Sequence, residues 1–461
     1  GIHPKELEHR RDLRDMPIFT IDGADTKDID DAVSVEERPD GWRLGVHIAD
    51  VSYYVTPKSP LDEEAYERGT SIYFADSVIP MLPPELSNGI CSLNPGEDRL
   101  AFSCFIDISP EGEMTGYELA KTVIRSRVKG VYQELNDYLD GRPGEGFEEK
   151  YREVLPELGP MVRLYHLLRQ RHFDRGAINL ESTESKIIVG PDGRAVDIKK
   201  RVQGETEQMI EEFMLMANQA VATFAIEKEL PFVFRVHEYP PEQKVTALKE
   251  TLTALNIDNR NVKLKSEPAV LAGILESVKG TQKEQVVNAL ILRSMAKARY
   301  DSQNLGHYGL VLKNYCHFTS PIRRYADLAI HRILSAFLAG SPLEKIQKRF
   351  GRFAADAAAQ ASQRELVAVE IERDCEDCYK AEYMSRFIGY SYDGVISGAA
   401  NQGLYVELEN SVEGLVAASR LPDGMEYDGA VSFANGPDHL TVGQPLRVKV
   451  LSCNIPMGHV D

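Results

Sequence analysis

The sequence predicts an α+β protein: a large domain of mixed sheets and helices over residues 17–388, then a small all-β barrel over 389–461. Three observations carry this. Residues 18–56 alternate apolar and polar side chains, as strands with one buried face do. Residues 205–229, ETEQMIEEFMLMANQAVATFAIEKE, place Met209, Ile210, Phe213, Met214, Met216 and Ala217 on one side of an amphipathic helix. Near Gly389 the composition changes to short strands punctuated by glycine turns, as in YDGVISGAANQGLYVELENSVEGLVAASRL. A chain of 461 residues is also too long for one ordinary domain, and residues 1–16 read as a leading linker.

In chain order, PIFTID leads into an acidic loop. DAVSVEE and WRLGVHIADVSYYV follow as strands around a turn at RPDG. PLDEEAYERG, residues 60–69, reads as a short helix with acids in its first turn. SIYF, VIPMLP and RLAFSCFIDIS are strand pieces joined by loops bearing Pro and Gly. Residues 131–175 are mainly helical in pattern. GAINLES and KIIVGPDGRAVDIKKR read as strands, with PDG as a hairpin turn. The methionines of 205–229 read as core filler. PFVFRVHE is a strand, several helices fill 241–300, and one long helix or a pair covers 342–388.

The net charge is −18, from 53 Lys+Arg against 71 Asp+Glu, which argues against indiscriminate nucleic-acid binding. It leaves room for a local basic channel, and cations cluster in RLYHLLRQRHFDR (163–175) and SPIRRY (320–325). No apolar run approaches the ~20 residues that cross a membrane. Six scattered cysteines suggest a reducing compartment rather than a disulfide framework. Residue 1 is Gly, and the last residues read as an unfinished strand region, so a fragment of a longer protein is expected.

The unusual stretch is IDGADTKDIDDA, with aspartates at 22, 25, 28, 30 and 31 and Lys27 as its one local cation. A strand delivers Asp22, and Gly23 permits a tight turn behind it. Such a loop can be a solvated acidic turn or a seat for hard cations, which take oxygen ligands. Two Mg²⁺ ions ~3.5–4 Å apart can clamp both oxygens of a phosphodiester displacement. An EF-hand calcium loop fits poorly, because its Gly and Glu spacing and flanking helices are missing. DID at 28–30 also admits a phosphatase of the DxD type. Phosphate-loop and zinc-protease signatures are absent, and Cys375 and Cys378 lack a second pair.

The loop has company. TIDGADTKDIDDAV (20–33), HIADVSYYV (47–55), GTSIYF (69–74), IPMLPPELSNGICSLNPGEDRLAFSC (79–104) and HFTSPIRRYADLAIHR (317–332) together resemble the RNB catalytic domain of the RNase II/RNase R family of 3′→5′ exoribonucleases. VIPMLPPELSNGICSLNP and YCHFTSPIRRY look closer to the RNase R type. The tail from 389 is similar to the OB-fold RNA-binding domain repeated in the largest small-subunit ribosomal protein. Full-length members usually carry cold-shock domains before this region, and RNase R types often end in a basic tail; neither is seen here.

The resemblance implies an RNA channel and processive hydrolysis of single-stranded RNA from its 3′ end to nucleoside 5′-monophosphates. It also implies one or two Mg²⁺ ions, a monomer and a cytoplasmic setting. Motif by motif, Asp22, Asp28, Asp30 and Asp31 match the family's metal-binding aspartates, and Asp25 has no counterpart. Asp30, Tyr73 and Arg323 are implied as catalytic: Tyr73 holds the terminal nucleotide, and Arg323 stabilises charge on phosphoryl oxygens. Tyr132 resembles the aromatic that closes the base stack, and Glu211 a contact to the sugar or first base, with Glu212 an open alternative. Arg324 and His317 read as RNA contacts or supporting groups. The competing expectation is a noncatalytic RNA-binding protein on the same scaffold, which would be expected to lack a loop aspartate.

Overall fold

The computed structural model describes residues 2–178 and 184–461. A five-stranded sheet lies at its centre, in the order Arg11–Asp12, Met114–Arg125, Asp98–Ile108, Gly41–Ala49 and Asp31–Arg38. Only the Arg11–Asp12 pairing is parallel. Two of its three inner strands, Gly41–Ala49 and Asp98–Ile108, bury Leu44, Val46, Ile48, Phe102, Cys104 and Ile106 completely. A buried polar line crosses the same sheet. His47 lies 2.9 Å from Ser34 Oγ and 2.7 Å from Ser103 Oγ, and Ser103 meets Thr122 at 2.7 Å. Burial pushes His47 down to about 3, so it serves as a neutral link.

The helix Glu205–Glu227 forms over the stretch that the sequence marked as amphipathic, and Met209, Ile210 and Phe213 enter the main core. Residues 325–334 of the helix Tyr325–Leu338 are all buried, Asp327, His331 and Arg332 among them. Phe318 and His331 meet Phe102 edge-on and tie this helix region to the sheet. Arg332 donates to Asp62 Oδ1 and to Val55 O, both at 2.7 Å, and Tyr325 Oη also donates to Asp62. One continuous helix, Leu343–Ser385, follows. Its 43 residues span ~65 Å at the α-helical rise.

The helices Glu242–Ala254, Pro268–Val278 and Glu284–Ser294 make a satellite core around Leu248, Leu252, Leu271, Val287 and Ile291. The C-terminal barrel begins at Ser391 with a four-stranded sheet, ordered Glu413–Ala417, Gly403–Leu408, Ser391–Ala400, Pro445–Lys449. A three-stranded sheet over 426–441 closes on it. Its core residues Ile396, Leu404, Val406 and Phe433 pack with Leu255 and Val286 from the helical region. No helix among the described residues is long and apolar enough to cross a membrane.

Two sequence expectations change. The strand expected through SYYV stops at Ala49, and Val51–Tyr54 is a short helix. Periodicity separates short apolar strands from helices poorly. Here Asp50 dictates the turn: Arg10 Nη2 donates to it at 2.7 Å, Lys121 Nζ at 2.8 and 2.9 Å, and Ser52 Oγ at 2.9 Å. The strand expected at GAINLES falls partly outside the described residues, and Ala177 and Ile178 are not in a strand.

Burial raises the Asp50 carboxyl, but Lys121 and Arg10 outweigh burial and hold it below the usual carboxylate range. Its contribution to stability is therefore present above the unfolded value of about 4 and is lost as pH falls further. Asp50→Asn is expected to lower stability at pH 7 by ~3–5 kcal/mol, because two buried cations lose their partner. Denaturant midpoints measured between pH 7 and pH 2 should also fall less steeply for the variant than for the wild type.

Candidate active site

The aspartate loop is shaped by what holds its backbone. The strand Thr20–Asp22 pairs in parallel with Lys129–Val131 and brings Asp22 to its end. Asp22 Oδ1 accepts from Gly23 N at 2.8 Å and Thr26 Oγ1 at 3.1 Å, and Thr26 N closes a turn on Gly23 O at 3.2 Å. Ile29 is the anchor: it is buried in the main core, its N–H donates to Ser92 Oγ at 3.0 Å, and its carbonyl accepts from Leu93 N at 3.0 Å. Ser92 Oγ in turn donates to Lys27 O at 2.6 Å. One apolar residue between Asp28 and Asp30 thus fixes both carboxylates against the body of the domain.

Two distant segments meet the loop. Ser71 N and Thr70 Oγ1 donate to Arg323 O at 2.9 and 3.1 Å, and Tyr325 N donates to Gly69 O at 2.9 Å. This lacing joins the Tyr73 hairpin to the SPIRRY turn. Ile322 N then donates to Asp30 Oδ1 at 2.8 Å. Asp30 Oδ2 is buried without a hydrogen-bond partner among the described residues, and Arg323 Nε stands 4.0 Å away. Tyr73 Oη donates to Asp28 Oδ2 at 2.5 Å.

The electrostatics follow from desolvation. Burial drives the Asp30 carboxyl well above its ordinary value, Arg323 and the Ile322 amide oppose the shift, and Asp31 and Asp28 add to it. Burial and the neighbouring Asp22 push Asp31 up to about 7, against Arg323 and Arg324. Asp22 is also raised, chiefly by burial. Burial and the Asp28 charge raise the Tyr73 phenol, which keeps it a donor.

A cleft of about 1480 Å³ gathers Asp22, Asp28, Asp30, Asp31, Tyr73, Tyr132, Glu211, Arg323 and Arg324 onto one wall system. Asp25 reaches it too, as an exposed loop residue. The neighbours differ in kind. Glu211 is exposed and accepts from Gln203 Nε2 at 3.0 Å. Glu212 is buried and takes Arg169 at 2.9 Å and His172 at 3.3 Å. Arg324 grips Asp327 through two hydrogen bonds at 3.0 and 2.9 Å, and His317 Nδ1 pairs with Tyr300 Oη at 2.8 Å. The basic run 163–175 does not line the cleft: Arg163, Arg169 and Arg171 are engaged by Glu37, Glu212 and Glu113. Instead, Lys129, Arg201 and Arg235 bring cations to it. No local pattern marks these three; only the fold assembles them.

Among the described residues, no three His, Cys, Asp or Glu side chains are already gathered into a metal-ligating group. What the loop offers is a set of carboxylates short of positive charge, with an unpartnered Asp30 Oδ2. That donor set fits a hard divalent cation held by one or two carboxylates, with water and phosphate oxygens completing its shell.

Residues 10–340 match the model of the RNB domain, and residues 385–454 match that of the S1 RNA binding domain. Ribonuclease R 1 of Lactococcus lactis subsp. lactis is 41% identical over 461 residues, which cover 99% of this chain and 56% of that protein. Ribonuclease R of Thermotoga maritima is 41% identical over 469 residues, covering 100% of this chain and 65% of the relative. The chain therefore spans 56% and 65% of the length of these two relatives. Among solved structures, Mycoplasma genitalium RNase R in complex with ribose methylated single-stranded RNA is similar at a TM-score of 0.93 and 29% identity, over 100% of this chain and 73% of that one. The aspartate loop and the Arg323 turn both fall within the matched 10–340 region, which is most of the sequence, and the chain belongs to the RNB family.

Proposed function

We propose that this chain is the catalytic part of a processive 3′→5′ exoribonuclease that hydrolyses single-stranded RNA to nucleoside 5′-monophosphates. In this reading residues 17–388 form the catalytic domain, residues 389–461 an RNA-binding barrel, and the protein works as a cytoplasmic monomer. The observation that carries it is the buried Asp30 carboxylate, one oxygen held by the Ile322 amide and the other, unpartnered among the described residues, 4.0 Å from Arg323. Desolvating a carboxylate costs several kcal/mol, and a fold retains that cost where the group has work to do.

Asp22, Asp28, Asp30 and Asp31 would hold Mg²⁺, as one or two ions. When bound, Mg²⁺ would neutralise the scissile phosphodiester and activate water for in-line attack. The protein's own groups set the geometry. The Ile322 amide fixes the rotamer of Asp30, so its second oxygen stays toward the cleft. Arg323, whose side chain is 44% exposed, donates its guanidinium to phosphoryl oxygens as charge builds there. Tyr73, whose phenol is tethered to Asp28, offers its ring to the terminal nucleotide, and Tyr132 closes the stack of bases. Glu211 faces the sugar or first base. Arg324, held by Asp327, acts mainly by positioning the turn that carries Arg323. Ribose hydroxyls distinguish RNA from DNA in such a channel. The RNA complex of the Mycoplasma relative supports this choice of substrate.

With 5′-labelled single-stranded RNA and Mg²⁺, the products should be nucleoside 5′-monophosphates and a short 5′ remnant. EDTA should abolish the reaction and added Mg²⁺ restore it. Intact RNA or internal cuts would overturn the proposal. Asp30→Asn keeps an acceptor for the Ile322 amide, so cleavage should vanish while RNA affinity, read by fluorescence anisotropy, stays within a few-fold. Arg323→Ala should lower kcat by about 10²–10³-fold, the usual scale for losing one oxyanion donor. Tyr73→Ala should weaken binding of short RNAs by ~1–3 kcal/mol.

A further inference from the structure

Lys129 belongs to none of the motifs that mark the site, yet its ammonium donates to two carbonyls of the aspartate loop, Ala24 O at 2.8 Å and Thr26 O at 2.6 Å. The chain puts it there by the short parallel pairing, with Lys129 opposite Thr20, Gly130 opposite Ile21 and Val131 opposite Asp22. Close approach of the two strands requires glycine at 130, where a Cβ would lie 2.5 Å from Thr20 O. The carbonyls it grips belong to the turn that separates Asp22 from Asp28. Lys27, the cation within the loop, is exposed, and its carbonyl is taken by Ser92.

We infer that Lys129 is a positioning residue for this loop. It bridges Ala24 and Thr26 and holds the turn against the Lys129–Val131 strand by charge-assisted hydrogen bonds. Asp22 and Asp28 thereby keep their places in the cleft wall before any cation or RNA arrives. Tyr132 lies three residues further along, at the start of the helix Tyr132–Leu139, and lines the same cleft, so the Lys129–Val131 strand sets both the aspartate loop and this aromatic. The inference rests on the metal-site reading given above for its Mg²⁺ arm only.

The test uses the RNA-free protein, with Lys129→Met to remove the donor and Lys129→Arg to restore a forked cation. Backbone hydrogen exchange without metal should rise about tenfold for residues 23–30 in Lys129→Met, while exchange in the central Asp98–Ile108 strand stays at the wild-type rate. The Mg²⁺ concentration giving half of the thermal shift should rise about tenfold, equivalent to ~1.4 kcal/mol. Lys129→Arg should recover most of both effects. If Lys129→Met does not fold, Lys129→Gln, which keeps one donor group, should show intermediate exchange. Wild-type exchange in the loop of Lys129→Met would overturn the inference, even if RNA affinity falls, because that pattern marks a phosphate contact instead. A wild-type protein whose melting ignores Mg²⁺ would overturn the metal reading, and loop exchange would then decide the role of Lys129.

Discussion

The hydrogen bond from the Ile322 amide to Asp30 is the constraint on which the site depends. It joins the aspartate loop near the N-terminal end of the chain to the SPIRRY turn far downstream. It also satisfies one oxygen of a carboxylate that has been taken out of water, and the other has no partner among the described residues. A carboxylate in that condition is tolerable only if a cation approaches or a proton binds. Arg323 is near but stands at 4.0 Å and nearly half-exposed, a weak neutraliser in place. The site is thus poised by a deficit of positive charge rather than by a finished ion pair.

Much of the surrounding structure serves to make that deficit affordable. The Tyr73 hairpin is laced to the Arg323 backbone, and Arg324 is locked on Asp327, so the turn carrying Arg323 has little freedom. In the buried pairs elsewhere, Asp62 with Arg332 and Asp50 with Arg10 and Lys121, the carboxylates are fully engaged by contrast. Their geometry fastens helices and strands together, and no oxygen of Asp50 or Asp62 is left without a partner.

The sequence was legible where information is local. The period-two strands, the Glu205–Glu227 helix and the Leu343–Ser385 helix follow from patterning, and the four aspartates stand in one short stretch. Tyr73 and Arg323 were reached through a resemblance of motifs, since nothing in composition links positions so far apart. The short helix after Asp50 was missed because its cause is a pair of distant cations, Arg10 just before the Arg11–Asp12 strand and Lys121 in the Met114–Arg125 strand. The basic run 163–175 looked like a channel lining and is instead paired off by Glu37, Glu113 and Glu212, partners that only the fold supplies. Lys129 escaped for the same reason: a lone lysine before a glycine carries no signal until a strand brings it beside Ala24 and Thr26.

The insertion of Leu255 and Val286 into the barrel core has a consequence for the order of events during synthesis. These two side chains leave the ribosome well before the barrel strands that cover them. Until Ile396, Leu404 and Phe433 arrive, the helical region presents an unfinished apolar surface, the kind that invites mispairing between chains. The barrel therefore acts as a cap on its neighbour as well as a module in its own right. A graft that exchanged it for a foreign barrel would have to reproduce the two sockets that receive Leu255 and Val286, or carry the helices along with it.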